Sequence, residues 1–490
     1  MTQAKESFWV EAARRGFRPV FYLANNRLSQ LGIILTTASA LTLISFYFAE
    51  FFGIRVGPYI GIITFLILPA VFVIGLLLIP LGIWGKFRRE KLAGVLPSEY
   101  PEFSLGDPKL RETLWFVAGM SVLNLGLFSV ASYRGAQYMD SVQFCGLTCH
   151  TVMQAEYVAY QNSPHARVAC VECHIGPGAP WFVRSKLSGT KQVFAVTFNT
   201  FSRPIPTPVE DLRPARETCE QCHWPLKFHG DKLVIKTHFA DDETNTQTKS
   251  VLLMRTGGID PLTRLPQGNH GVHLEPGVEI YYLATDRQRQ QIPYVRYRTR
   301  TGEVIEYVSM LAEQSVEELR VVGELRLMDC MDCHNRPTHI FSLPGSALDQ
   351  ALAAGRIDLS LPYLKKQALE ILQVPYSSHA EAASQIRSRL LNFYRTHHPH
   401  LFDQKRAAIE QAADVLVALY QRNVFAEMKL FWGTYPDNLG HEPFPGCFRC
   451  HDGMHTSADQ RIITADCNAC HRLLATEEPA PEILRHLAGE

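Results

Sequence analysis

The sequence has no excess of charge of either sign. Lys plus Arg and Asp plus Glu both number 48 in 490 residues. A protein that holds nucleic acid through a broad basic surface is therefore excluded. Charge is also sparse: 20% of residues are charged and 46% are apolar, which excludes a mainly disordered chain. No cysteine is left for a disulfide framework, because all twelve fall into one recurrent pattern. No sequence repeat extends beyond that pattern. No short apolar leader with an Ala-x-Ala-like cleavage site precedes the first long apolar run, so that run reads as an uncleaved anchor.

Three stretches carry no charge at all. They are 22 residues between Arg27 and Glu50, 30 between Arg55 and Lys86, and 21 between Glu112 and Arg134. A hydrocarbon core of ~30 Å takes about 20 helical residues, so the expectation is three transmembrane helices at about 28–49, 57–85 and 113–133. Pro69 and Pro80 would kink the second. The alternative, three buried helices of a soluble core, fits such long charge-free runs poorly. Basic residues set the orientation. Lys5, Arg14, Arg15, Arg18 and Arg27 precede the first span, and Lys86, Arg88, Arg89, Lys91, Lys109 and Arg111 lie between the second and third. Only Arg55 stands between the first two. The N-terminus, residues 1–27, is thus expected in the cytoplasm, and everything after Arg134 on the outer side of a bacterial inner membrane.

The cysteines form five Cys-x-x-Cys-His pentads: Cys170/Cys173/His174, Cys219/Cys222/His223, Cys330/Cys333/His334, Cys447/Cys450/His451 and Cys467/Cys470/His471. A sixth, Cys145/Cys149/His150, is one residue longer. Two thiols at this spacing add to the two vinyl groups on one porphyrin edge, and the adjacent His reaches the iron. Six covalently bound haem c groups are the expectation, and such attachment takes place outside the cytoplasm. Structural zinc is the competing reading, but it needs four ligands and pairs half-sites.

Thirteen further His are available as second axial ligands. His165, His238, His273, His339, His441 and His455 are the leading candidates. His165, His339 and His455 sit so close to a motif that each should reach a neighbouring iron more easily than its own. His229 and His270 are reserves. His379, His397, His398, His400 and His486 read as ordinary surface or core residues. Met153, three residues after His150, competes as a thioether ligand to the first iron, which would raise its potential.

The motif His are separated by 24, 49, 111, 117 and 20 residues. This divides the exported part into a tri-haem region (134–225), a β-containing insert (226–325), a fourth haem segment (326–345), a helical subdomain (346–436), a di-haem segment (437–475) and a loose tail (476–490). In the insert, Lys232–Lys236, Val251–Arg255, Glu279–Leu283, Tyr294–Arg300 and Glu303–Val308 read as strands, with a hairpin at Thr301-Gly302. The fold class is a three-helix membrane anchor followed by a mainly α, loop-rich multihaem domain.

The third span ends about a dozen residues before Cys145, so the first haem is expected at the outer membrane surface, at the depth of a quinol head group. The remaining haems lead away into water. Arg184, Lys186 and Lys191 are candidates for a polar clamp on quinol, with lipid head-group contact as the plainer reading.

The runs C-G-L-T-C-H-T-V-M-Q-A-E-Y, N-S-P-H-A-R-V-A-C-V-E-C-H-I-G-P and S-K-L-S-G-T-K-Q, within about residues 138–225, resemble the NapC/NirT/NrfH family of membrane-anchored quinol dehydrogenases. The resemblance implies oxidation of menaquinol or ubiquinol at a membrane-proximal haem and electron delivery to periplasmic c-type cytochromes or a terminal reductase. It implies that Cys145, Cys149 and Met153 match the family's first haem site and Lys186 a quinol-site lysine. The family has one membrane helix and four haems, against three and six expected here. Its first motif is one residue shorter, and its acidic residue stands where this chain has Gln192. The extended form resembles the inner-membrane multihaem cytochromes of metal-respiring bacteria. Bis-His ligation favours low potentials and hence menaquinol. A relay subunit that takes electrons from a partner and a multihaem reductase are the alternatives. The oligomeric state is left open.

Overall fold

The computed structural model describes residues 18–51, 67–97, 100 and 108–489, apart from 21, 149, 177, 210–211, 225–229 and 261. The start of the chain with Lys5, Arg14 and Arg15, the first part of the expected second span, Cys149 and His229 lie outside the described residues. Two compact units follow one another, 1–148 and 149–490.

The first unit is built on helices α1 (Arg27–Phe51), α2 (Leu68–Leu92) and α3 (Pro108–Met139). The Arg27–Ser45 part of α1 and all of α2 are long and apolar enough to cross a membrane. Their packing is inverted relative to a water-soluble protein. Ser29, Thr36, Ser39 and Ala40 are buried, while Leu31, Ile33, Ile34, Leu41, Leu76, Leu77 and Leu81 are exposed. Lipid tails give no hydrophobic reason to hide leucine, so small residues take the helix contact instead. At Gly75 and Gly82 even a Cβ would come within 2.5 Å of Thr36 Oγ1 and 2.4 Å of Ser29 Oγ. Ser29 also donates to the Ile79 carbonyl at 2.9 Å, across the helix pair. Phe128 of α3 stacks on Phe72 of α2 at 5.1 Å. Helix α3 encloses the expected third span but continues past Tyr133 to Met139. A short π-helical turn, Phe144–Thr148, then carries Cys145.

The second unit opens with α4 (His150–Gln161) and α5 (Ala179–Thr197). Strands β1 (Lys232–Phe239) and β2 (Gln247–Met254) pair antiparallel, with Lys232 opposite Met254. Helix α6 (Gly268–Leu274) follows. Strands β3 (Glu279–Leu283), β4 (Tyr294–Arg298), β5 (Val304–Ser309), β6 (Arg326–Leu327) and β7 (His455–Ser457) form one sheet in the order β6-β3-β4-β5-β7. The hairpin between β4 and β5 turns at Gly302, whose φ of 87° suits glycine. Residues 471–478, strand β8 (His471–Glu478), join the free edge of β2, and a helix spans Glu482–Ala488. The expectation of a loose tail is therefore corrected. An unpaired β2 edge offers main-chain partners that outweigh the acidic composition of the segment.

Helices α7 (Pro344–Ala353), α8 (Leu364–Leu372), α9 (His379–His397) and α10 (Pro399–Asn423) form a lobe with a dry core. Ile386, Leu390 and Tyr394 recur every four residues and are fully buried, against Leu364, Leu372, Ile409 and Leu416. Ser378 caps α9 by accepting from the Glu381 amide. Phe239, at the end of β1, inserts into this core, and Asn245 donates to the carbonyls of Leu359 and Leu361. The lobe is thus fastened to the sheet that carries β8.

Candidate functional site

The five regular pentads fold as tight turns. Cys170–His174, Cys330–Cys333 and Cys467–Cys470 are one-turn helices, Gly446–Arg449 is a 3-10 turn, and the one-turn helix Ala215–Cys219 leads into a turn that carries Cys222. At the fourth of the six motifs, Asp329 caps the turn and Asp332 closes a reciprocal capping box. Asp332 is buried and bonded to Tyr282 Oη at 2.5 Å and Arg326 Nε at 3.1 Å.

Each of these five motif histidines faces one histidine from elsewhere in the chain. Ring centroids are 6.2 Å apart for His174 and His339, 6.0 Å for His223 and His165, and 6.3 Å for His334 and His270. They are 5.8 Å apart for His451 and His273 and 6.1 Å for His471 and His441. A first-row metal takes an imidazole nitrogen at about 2 Å. Half a ring on each side then puts two opposed imidazole centroids about 6 Å apart, with one ion between them. Direct ring contact is closer: His441 stacks on Phe448 at 4.3 Å.

Proton positions agree. Nδ1 of His165 lies 3.2 Å from the Pro337 carbonyl, that of His273 2.7 Å from the Asn269 carbonyl, and that of His451 2.8 Å from the Thr464 carbonyl. Nδ1 of His339 meets the Glu156 carbonyl at 3.0 Å. A carbonyl only accepts, so each Nδ1 carries the hydrogen and each Nε2 keeps its lone pair for a metal. Burial pushes the imidazoles of His174, His273, His270 and His334 below the usual histidine range. The charge of His339 adds to this at His174, and that of His334 at His270. Neutral imidazole is the ligating form. Among the described residues no three His, Cys, Asp or Glu side chains converge as a zinc site would require.

The sulfurs place the motifs in order. Cys173 neighbours Cys222, and the Cys219 thiol hydrogen-bonds with Cys330. Cys333 neighbours Cys447, and Cys447 neighbours Cys470. Burial raises Cys450 to about 12 and Cys333 to about 11, far from thiolate. Successive motifs therefore abut edge to edge in chain order.

Two local devices hold the array. Helix α6 presents His270 and His273 from one face, three residues apart, to two successive motifs. Its Gly271 lets the helix sit where a Cβ would come within 2.6 Å of the Gly258 carbonyl. The segment 335–339 after His334 is the second device. It supplies the Pro337 carbonyl to His165, Arg336 to Glu156, and His339 to His174.

Two expected ligands have other partners. His238 stands on β1 with its side chain 63% exposed and Nδ1 3.0 Å from Asp349 Oδ2. His455 is buried on β7, with Nδ1 2.9 Å from Asp452 Oδ1 and Nε2 2.7 Å from the Ile292 carbonyl. Nε2 is then a donor, and both nitrogens of His455 are consumed in holding the edge strand. His270, a reserve in the sequence, is the one that faces a motif histidine. Its signal is the spacing His-Gly-Val-His, which sets both rings on one helix face.

At the first motif, His150 begins α4, and Met153 packs against the apolar cluster of Val152, Ala155, Phe425 and Met428. Arg184, Lys186, Lys191 and Gln192 all lie on α5. Arg184 and Lys191 are seven residues apart and share a face, whereas Lys186 lies on another side. Arg184 sits 4.8 Å over the Trp181 ring, and Gln192 reaches Ser188 Oγ at 3.4 Å. Val183, Leu187, Phe194 and Phe198 of this segment are exposed.

Residues 108–205 match the N-terminal region of the NapC/NirT cytochrome c family. The chain is 42% identical to the cytochrome c-type protein ImcH of Geobacter sulfurreducens over 462 residues, covering 93% of this chain and 90% of that protein. The chain belongs to the NapC/NirT family of membrane-anchored multihaem cytochromes c. The cytochrome c-type protein NrfH of Wolinella succinogenes is 29% identical over 107 residues, 21% of this cytochrome and 60% of NrfH. No solved structure matches the chain. This cytochrome is accordingly an electron-transfer protein with covalently bound haem c, and the paired histidines and abutting cysteines fit that group.

Proposed function

We propose that this cytochrome is a hexahaem quinol dehydrogenase of the bacterial inner membrane, oxidising menaquinol and supplying electrons to periplasmic cytochromes or a reductase. The observation that carries the reading is the set of five histidine pairs, each one motif residue and one distant residue. Haem c held at such a pair supplies one-electron chemistry between ferric and ferrous iron. The pairs His174–His339, His223–His165, His334–His270, His451–His273 and His471–His441 would hold the irons, and the cysteines of each motif would attach the porphyrins. Cys145, Cys149 and His150 hold the sixth group, with Met153 as the alternative ligand there.

Three membrane spans, a cytoplasmic N-terminus and a periplasmic haem domain are part of the same reading. Helix α3 ends at Met139, so Cys145 follows the helix that carries the third span within a few residues. Quinol entry belongs at this motif, because a lipid-soluble donor must be met near the bilayer. The neighbouring sulfurs link the second motif to the sixth in chain order, a path for electrons once they have entered. Lys186, Arg184 and Lys191 supply the cationic groups for the quinol head, and Gln192 stands where a proton acceptor is otherwise expected.

The test is anaerobic mixing of detergent-purified protein with a menaquinol analogue while the haem α-band is followed. Fast reduction that is lost in Lys186→Leu supports a quinol dehydrogenase entered near that residue. No reduction by quinol, with full reduction by dithionite, refutes it in favour of a relay fed by a partner.

A further inference from the structure

We infer that Glu156 sets the reduction potential of the site formed by His174 and His339, holding it low through the Nδ1–H of His339. The inference rests on the proposed ligation of one iron by that pair. Two acceptors lie against this nitrogen, where its counterparts have one. His165, His273 and His451 direct Nδ1 at neutral main-chain carbonyls. His339 meets a carbonyl at 3.0 Å and, in addition, the carboxylate Oε2 of Glu156 at 3.1 Å. Both acceptors belong to Glu156, one residue of α4.

The carboxylate is fixed in place. Arg336 Nη2 lies 3.2 Å from Oε1 and 3.3 Å from Oε2, and Arg336 Nε donates to the His339 carbonyl at 2.6 Å. The guanidinium is itself packed 4.0 Å from the Tyr435 ring. Side-chain exposures are 13% for Glu156 and 10% for Arg336, so water screens the charge little. A carboxylate on the outer nitrogen of a ligating imidazole makes the ligand more basic. A more basic ligand and a nearby negative charge both stabilise ferric over ferrous iron. The couple exchanges one electron with a neighbouring site, and no bond or proton changes place. Arg336 opposes the effect, because its positive charge lies against the same carboxylate.

The two charges make a test of opposite signs. Full-length holoprotein, Glu156→Gln and Arg336→Gln are titrated spectroelectrochemically, with low-spin EPR amplitude measured on the same samples. In Glu156→Gln, one component should become about tenfold easier to reduce, about 59 mV upward for one electron, with low-spin amplitude kept. In Arg336→Gln the same component should move downward. No shift in Glu156→Gln with low-spin amplitude intact, or shifts of one sign in both variants, overturns the inference. If Glu156→Gln loses low-spin signal, Arg336→Gln decides: a downward shift supports the inference and no shift overturns it. His339→Ala separates the underlying ligation from the tuning. One low-spin component should turn high-spin there, and if none does, the ligand assignment itself fails.

Discussion

The helical lobe and the motif region, though parts of one compact unit, are held together by different means. In the lobe, Leu348, Leu352, Leu361, Leu364, Leu372, Ile386, Leu390, Ile409 and Leu416 are almost wholly removed from water. Around the motifs the recurring groups are thiols and imidazoles, and Cys173, Cys222, Cys447 and Cys467 are exposed. The lobe carries its own apolar core, whereas the motif region is a set of tight turns and histidine gaps built to enclose something large. Burial of side chains stabilises the first, and the second is expected to depend on the cofactor it holds.

The comparison is broken most directly by withholding the cofactor. Chain made without haem attachment should lose protease resistance through the motif region while a fragment of about residues 344–432 survives, read by limited proteolysis and mass spectrometry. Uniform digestion would show that the lobe depends on haem too. Next in size, Leu390→Ala should destabilise the lobe by about 2–5 kcal/mol in urea, with the low-spin haem spectrum unchanged until the lobe unfolds. His441→Ala should convert one haem to high-spin, whereas His455→Ala should leave the low-spin signal unchanged and lower only the stability of the sheet edge. Magnetic circular dichroism distinguishes the two. The smallest effect belongs to the exposed pair Arg387–Asp414, where Asp414→Ala should cost about 0.2–1 kcal/mol and leave all potentials alone.

The two regions also differed in how much could be read from residue order. The pentads are legible because covalent attachment needs contiguous residues. The strand positions and the Gly302 turn are legible because alternation and turn chemistry are local. The histidine pairing is not local: His174 meets His339 and His273 meets His451 across more than a hundred residues. Spacing alone makes His455 resemble a ligand, yet strand β7 carries it to a sheet edge where Asp452 and the Ile292 carbonyl take both nitrogens. His238 is placed by β1 beside Asp349, on the lobe that its own strand fastens. The tail's acidic composition concealed a strand because the partner edge, β2, lies over two hundred residues earlier.

The distances along the chain between paired histidines have a consequence for biogenesis. On the proposed ligation, a chain emerging N-terminus first completes its sites out of motif order. The pair His165–His223 is finished first, then His270–His334, and only afterwards His174–His339, although His174 emerged long before. Residues 335–339 act as a timer: until they arrive, the second motif holds one axial ligand and Glu156 has no cationic partner among the groups described around it. On that ligation the second motif is the one, among the five pairs, whose partner histidine arrives after its own, His339 following His174 by 165 residues.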